Sequence, residues 1–600
     1  MIALILLLPV FIAYILTAVL PNGPRIKYFA IIGTLASLVL LPFIGYGNYS
    51  ARWFAVGGYG FDLSVSVAPL NYMLLAIILI IAPFVFLYSF GYISARNEQK
   101  RFYLEMLGFE LSMLAFAMSG GLLLLFISWE FLSFTSYLLI GFWYGRAAPP
   151  RAARKAFTIV LIGDLALLGA IVILWNIFGS LSFSTIALAA TPIGQAYSYF
   201  VSAAVLLIIA IFTKSAQFPF HEWLPDAMEG PTPVSAFLHS STMVKAGVFA
   251  SILLLPVFIA THTTSILFYG SAITVALSTL NAMKETHIKK VIAYSTIQEL
   301  GLMIFAISGG AVLAGIYFFL AQSFYKALLF FSSGLIMNAS ETEDITKAYG
   351  LSYNKLIYFS TAFGVLSLAG FLPFDGFFSS ASISSSFSSN LVVYVAVTAT
   401  SLLTSFYIFR WFLLGSRPTK NERIKVSYAH QPRSMVYSVV AMAPLPLAAS
   451  IVFFYLKGFL VSSTPYYLYG YLSSSAIHIL PADAILETAV ILAGAAISFE
   501  AIRRNASLRN RPLYYLVYSR IVFDAAYTHF ARFVYEISEG VALFDLYVSD
   551  AFDSVGKAVL RSGYALRRLS SGSINLYVLA LSIGILLIIA YAYLTGIPGV

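Results

Sequence analysis

Cysteine is absent from the 600 residues. No disulfide, thiolate metal site or iron–sulfur cluster can therefore reside in this chain. Charge is scarce too. Only 10% of residues are Asp, Glu, Lys or Arg, where soluble domains carry about 25%. No glycine-rich nucleotide loop follows a strand, and no Ser–His–Asp arrangement suggests itself. His221 and Glu222 have no i+4 partner of the kind a helix-borne metal site needs. Redox or hydrolytic chemistry within the chain is not expected. The formal charge of +10 is not a nucleic-acid signal, because Lys and Arg fall in short loops beside apolar runs.

Apolar residues fill the chain instead, at 60% with a mean hydropathy of +0.88. A membrane crossing needs roughly 20 apolar residues, and on that rule the sequence predicts an all-α polytopic membrane protein with about sixteen crossings. Among them are 2–20, 102–118, the interrupted 198–228 and 355–388, and a final anchor at 573–596. The first twenty residues lack a basic start and a small-residue cleavage site, so they read as a retained span. Basic residues cluster in alternate loops, as at Arg96, Lys100 and Arg101 or Lys284, Lys289 and Lys290. Positive loops stay cytoplasmic, which places both termini on the outer side of a cell membrane.

Two apolar runs are interrupted in corresponding positions. Residues 211–247, IFTKSAQFPFHEWLPDAMEGPTPVSAFLHSSTMVKAG, contain Pro219, Pro225, Gly230, Pro231 and Pro233; residues 367–384, SLAGFLPFDGFFSSASIS, contain the second break. Paired broken helices mark a transporter built from inverted repeats, with its sites near the bilayer midplane. The expected partition is 1–101, N-terminal crossings; 102–260 and 261–415, two five-helix repeats; 416–510, additional crossings; 511–570, an amphipathic lateral helix; and 571–600, an anchor. In 511–570 the charges recur at helical spacing, as at Arg520 and Asp524 or Asp550, Asp553, Lys557 and Arg561. That segment suits a helix lying along the membrane surface, or two or three shorter ones.

An ionisable side chain inside the bilayer is costly and is by default a functional-site hypothesis. Glu130 in LLLLFISWEFLSF pairs naturally with Lys214 beside the first break. At about 4 Å such a pair is worth roughly 4 kcal/mol at an effective dielectric of 20; it is either a gated proton site or a static salt bridge. Lys245 and Lys326 sit in apolar helices, where a lysine cut off from water exchanges its proton readily. His239 is a proton relay or a packing hydrogen-bonder. Asp164, Glu299 and Asp375 are further poorly solvated acids, whereas Lys289 and Lys290 read as interfacial.

The segments SWEFLSFTSYLLIGFWY, KAFTIVLIGDL, TKSAQFPFHEWLPDAMEGPTPVSAFLHSSTMVKAGVF, IKKVIAYSTIQELG and FYKALLFFSSG resemble the antiporter-like large subunits of respiratory complex I. The same subunit type occurs in multisubunit cation/proton antiporters and membrane-bound hydrogenases. The resemblance covers most of residues 60–415, and the lateral helix with its anchor resembles the distal subunit L. It implies protons passing by Glu130 and Lys214, then His239 and Lys245, then Lys326, with Asp164 as a supporting acid. Quinone reduction in other subunits would drive them. It further implies no cofactor in this chain, with flavin, iron–sulfur clusters and quinone in partner subunits, and a lateral helix that straps the membrane-arm subunits together. The second half departs from the family pattern. Phe318 and Gln322 stand where histidines are usual, and Ser380 and Ala381 replace the exit lysine and its acid. The expectation is an exit rewired through Asp375 and water, or a half that no longer conducts. A sodium/proton antiporter subunit and a structural strut are the alternatives.

Overall fold

The computed structural model describes residues 2–504 apart from 57–58, 95, 189–196, 463–465, 476 and 478, and beyond them a few residues between 554 and 587. The chain divides into two compact units, Met1–Val517 and Tyr518–Val600; the elements named below belong to the first. The expected lateral helix at 511–570 and the anchor crossing at 573–596 fall almost wholly outside the described residues.

With no water in the hydrocarbon to satisfy a peptide group, an apolar run must close its own hydrogen bonds as a helix. Helices α1 (Leu8–Val19) and α2 (Ile26–Leu40) open the chain. An antiparallel hairpin of β1 (Gly47–Val56) and β2 (Tyr59–Val67) follows. This hairpin is a local addition, not expected from the sequence, to a mostly helical fold. Alternating residues such as Leu63, Val65 and Val67 carry a strand period, and the Ser66 amide donates to the Met118 carbonyl at 2.8 Å, tying the hairpin to the bundle.

Next come α3 (Pro69–Tyr92), α4 (Arg96–Ala117), α5 (Leu122–Ile140), α6 (Ala148–Phe178) and the short α7 (Phe183–Leu188). The first interrupted crossing is α8 (Tyr197–Lys214), with α9 (Trp223–Asp226) beyond its break. Helices α10 (Thr232–Ser240) and α11 (Met243–Leu253) form one crossing split at Ser241–Thr242, and α12 (Leu255–Ala260) follows. Then α13 (Thr264–Lys284), α14 (Ile288–Ser308) and α15 (Val312–Ser340) run unbroken. Helices α16 (Lys355–Ala369) and α17 (Asp375–Ser386) flank the second break. The remainder is α18 (Leu391–Gly415), α19 (Glu422–Ala429), α20 (Arg433–Met442), α21 (Leu445–Val461), α22 (Tyr466–Ser474) and α23 (Pro481–Arg503).

Among the described residues, 12 helical stretches are long and apolar enough to cross a membrane. They coincide with twelve of the sixteen expected crossings; the other four are the stretches at 2–20, 102–118 and 355–388, and the anchor at 573–596, which lies almost wholly outside the described residues. The stretch expected at 102–118 is α4, which starts six residues earlier and carries Arg101, Glu105 and Glu110. The stretches at 2–20 and 355–388 hold shorter apolar helices, Leu4–Val19 and Lys355–Ala369. The deepest elements are α10, α11 and α15, whose span windows are wholly buried by other helices. They form the protein-lined centre in which broken backbone can survive.

Candidate functional site

Lys214 is the last residue of α8, where the helix cannot continue. Ala216 adopts a left-handed conformation (φ 50°) and Pro219 lies just beyond. The lysine is fully buried, and its Nζ donates to the Trp129 carbonyl (3.0 Å) and to Ser133 Oγ (2.6 Å), both on α5. It also stands 4.7 Å from the centre of the Trp129 ring.

The ion pair is not with Glu130. It is with Asp164 of α6, at 3.8 Å, so the expected Glu130–Lys214 pairing is corrected. The cause is helix packing. Gly163 lets α6 press against α8 so closely that a Cβ there would stand 1.7 Å from Thr213 Oγ1, and this delivers the neighbouring Asp164 to the lysine. Trp129 Nε1 and Ser133 Oγ each donate to the Asp164 carboxylate at 2.7 Å. Ser133 thus bridges the two charges, accepting from the lysine and donating to the acid. Glu130 is half-buried and remains within electrostatic reach of both.

The second half has a tighter pair. Lys326 of α15 meets Glu299 of α14 at 3.0 Å, and Lys326 Nζ also donates to Ser295 Oγ. Lys245, just past the split between α10 and α11, donates to the Phe319 carbonyl and Ser323 Oγ of α15. Glu299, Lys326 and Asp375 all lie within its electrostatic reach. Lys214, Lys245 and Lys326 therefore each hold a serine hydroxyl. At 3.0–3.8 Å these ion pairs gain roughly 4–6 kcal/mol at an effective dielectric of 20. Burying each ion costs several kcal/mol, so the terms nearly cancel.

Asp375 begins α17 at the second break. One carboxylate oxygen accepts from Ser367 Oγ and from the Gly376 amide (2.9 Å), and the other has no hydrogen-bond partner. His239 is packed between Trp223 and Phe330, with ring centres 6.2 and 6.1 Å away, and neither ring nitrogen has a hydrogen-bond partner. Its electrostatic neighbour is Lys289. Lys289, the second residue of α14, is covered by protein and donates to the Gly230 carbonyl at 2.9 Å. The loop after the first break folds over it. Lys290 meets Glu229 at 3.9 Å.

Three buried acids escaped the sequence reading: Glu110, which accepts from Thr34 Oγ1 (2.9 Å), and Asp483 and Glu487 of α23. Glu110 shares α4 with Glu105 and Arg101, and Asp483 and Glu487 share α23, so none stands out as a lone charge the way Glu130 does. No group of three or more His, Cys, Asp or Glu among the described residues could hold a metal ion.

Two family models match the chain. Residues 119–404 match the transmembrane segment of NADH:quinone oxidoreductase and Mrp antiporter subunits, and 53–103 the N-terminus of complex I chain 5. The NAD(P)H-quinone oxidoreductase chain 5 of Synechocystis sp. is 36% identical over 391 residues, 62% of this chain and 57% of that protein. The chloroplastic subunit 5 of Mesostigma viride is 28% identical over 571 residues, 90% of this chain and 87% of that one. The Mrp complex of Dietzia sp. shares the fold, with a TM-score of 0.73 at 21% identity, covering 98% of this chain and 63% of that chain. The first of these relatives is matched over less than three fifths of its length. The two matched segments, the longer of them containing Lys214, Lys245 and Lys326, show that the chain is a multi-pass membrane protein belonging to the family of antiporter-like large subunits of complex I and Mrp antiporters.

Proposed function

We propose that this chain is a proton-translocating membrane subunit of a complex I-like NAD(P)H:quinone oxidoreductase. Protons step along Glu130, Asp164 and Lys214, then Lys245, then Lys326 and Glu299. Quinone reduction in partner subunits opens and closes the pairs, and no redox step occurs in this chain. The observation that carries the reading is a buried lysine–acid pair in each half, Lys214–Asp164 and Lys326–Glu299, with Lys245 within electrostatic reach of the second. Each is close to break-even energetically, which is what a reversible proton site requires. His239 has no charged partner of its own and serves as a relay only if Lys289 is part of the path.

Flavin, iron–sulfur clusters and quinone belong, on this reading, to other subunits. Membrane-arm neighbours are held through 511–570. The protein sits in the cell membrane with both termini outward, and the two five-helix repeats span 102–260 and 261–415. The sodium/proton antiporter reading is favoured by one observation, the fold shared with an Mrp complex over nearly the whole chain. Proteoliposomes containing the purified complex distinguish the two. Quinone reduction should acidify one compartment without sodium; transport that needs a sodium gradient and no quinone-reducing partner supports the antiporter.

Ser133→Ala tests the bridge. It removes a hydroxyl that accepts from Lys214 and donates to Asp164. Hydrogen bonds to charged groups are worth about 1.5–3 kcal/mol, so transport should slow about tenfold to a hundredfold. Transport at the unsubstituted rate would show the bridge to be idle.

A further inference from the structure

Ser380 and Ala381 leave the second half without the lysine and acid expected at its outlet. Another element brings acids to that place. Asp483 and Glu487 lie one turn apart on α23, with 6% and 1% of their surface exposed. Neither belongs to the segments matched by the family models.

Helix α23 packs tightly on α18. A Cβ on Gly494 would stand 2.5 Å from the Leu402 carbonyl oxygen, and Ser405 Oγ donates to the Ile491 carbonyl at 2.7 Å. This packing sets Glu487 against the hydroxyls of Ser401 on α18 and Ser380 on α17. Its Oε1 has no hydrogen-bond partner. Asp483 accepts from Ser385 Oγ (2.5 Å) and from the hydroxyl of Tyr394 (2.7 Å), a half-buried residue in the first turn of α18.

Beside Glu299 of the second pair lies a cavity lined by that residue, Phe318, Gly376, Ser380, Ser401 and Thr404, among others. It offers about 30 Å³ to water centres, where one water needs roughly 10–15 Å³. Ser380 and Ser401 face both the cavity and Glu487. An acid buried in a membrane helix is expensive, and a neutral amide would anchor the same serines at less cost. Charge at Glu487 therefore calls for a use beyond packing.

We propose that protons leave the Lys326–Glu299 pair through this cavity to Glu487 and pass on to Asp483, so that α23 supplies the outlet of the second half. The Glu299 carboxyl gives up a proton to cavity water, the water passes one to the Glu487 carboxylate, and Glu487 hands it to Asp483 one turn away. No electrons move. The inference rests on the proton-translocating function above.

The test uses the whole complex in proteoliposomes, measuring protons moved per quinone reduced for Glu487→Gln, Glu487→Asp and Lys326→Ala. The expected result is a several-fold fall with Glu487→Gln, as deep as with Lys326→Ala, and recovery of most of it with Glu487→Asp. Normal pumping by Glu487→Gln beside a defective Lys326→Ala overturns the outlet and leaves the function standing. Normal pumping by both rejects the function itself. Equal loss in Glu487→Gln and Glu487→Asp, or failure of Glu487→Gln to assemble, makes Glu487 a packing residue and also overturns the outlet.

Discussion

Replacing Lys214 with alanine should all but abolish proton translocation by the reconstituted complex, and should also destabilise it. The lysine is fully buried and is the cation paired with Asp164 at 3.8 Å. Removing one member of a buried pair leaves an uncompensated charge and typically costs 3–5 kcal/mol, about as much as a domain has to spare. Stability and transport are separable by adding Asp164→Asn. The double variant no longer buries a lone carboxylate, so its thermal unfolding in detergent should recover most of the loss. Transport should not recover, because the proton carrier is gone. Undiminished pumping by Lys214→Ala would remove Lys214 from the mechanism. Recovery of pumping in the double variant would make the pair a structural bridge.

Gly376→Ala should have an effect of similar size by a different route. Gly376 follows Asp375 at the start of α17, and a Cβ there would stand 1.7 Å from the Ser367 carbonyl oxygen and 2.7 Å from its carbon. Those atoms are backbone of α16, across the second break, and no side-chain rotation relieves the clash. Overpacking of this kind costs about 1–3 kcal/mol, and more where backbone must move. The break should splay, carrying Asp375 away from Ser367 and distorting the cavity wall. A lowered unfolding temperature together with reduced proton transport is the expected result. An unchanged unfolding temperature would show that the break yields freely and contributes no rigidity.

The two glycines explain where sequence reasoning stopped short. Gly163 precedes Asp164 and Gly376 follows Asp375, so each break-associated acid sits next to a point of closest helix contact. In the sequence, Glu130 and Lys214 were candidates for one site because both are lone charges in apolar runs. Which carboxylate reaches the lysine depends on how closely α6 approaches α8. That distance is decided by a missing side chain and the Thr213 facing it, not by either charge. The cover over Lys289 escaped the sequence for a related reason. Its position at the start of α14 says nothing of the loop after the first break, which folds over it. The hairpin at 47–67 was missed because its alternation is short and lies between two strong helical runs.

Composition and pattern alone determined that the chain crosses a membrane many times, that two of its helices break, and that a handful of charged residues lie in the apolar runs. Those properties follow from local chemistry, since hydrocarbon demands closed helices and makes each buried charge conspicuous. Only the tertiary structure decided the partners: Asp164 rather than Glu130 for Lys214, Glu299 for Lys326, and α23 beside the cavity of the second half. Partner choice is a matter of ångströms between packed helices, and the charges themselves carry no record of that distance.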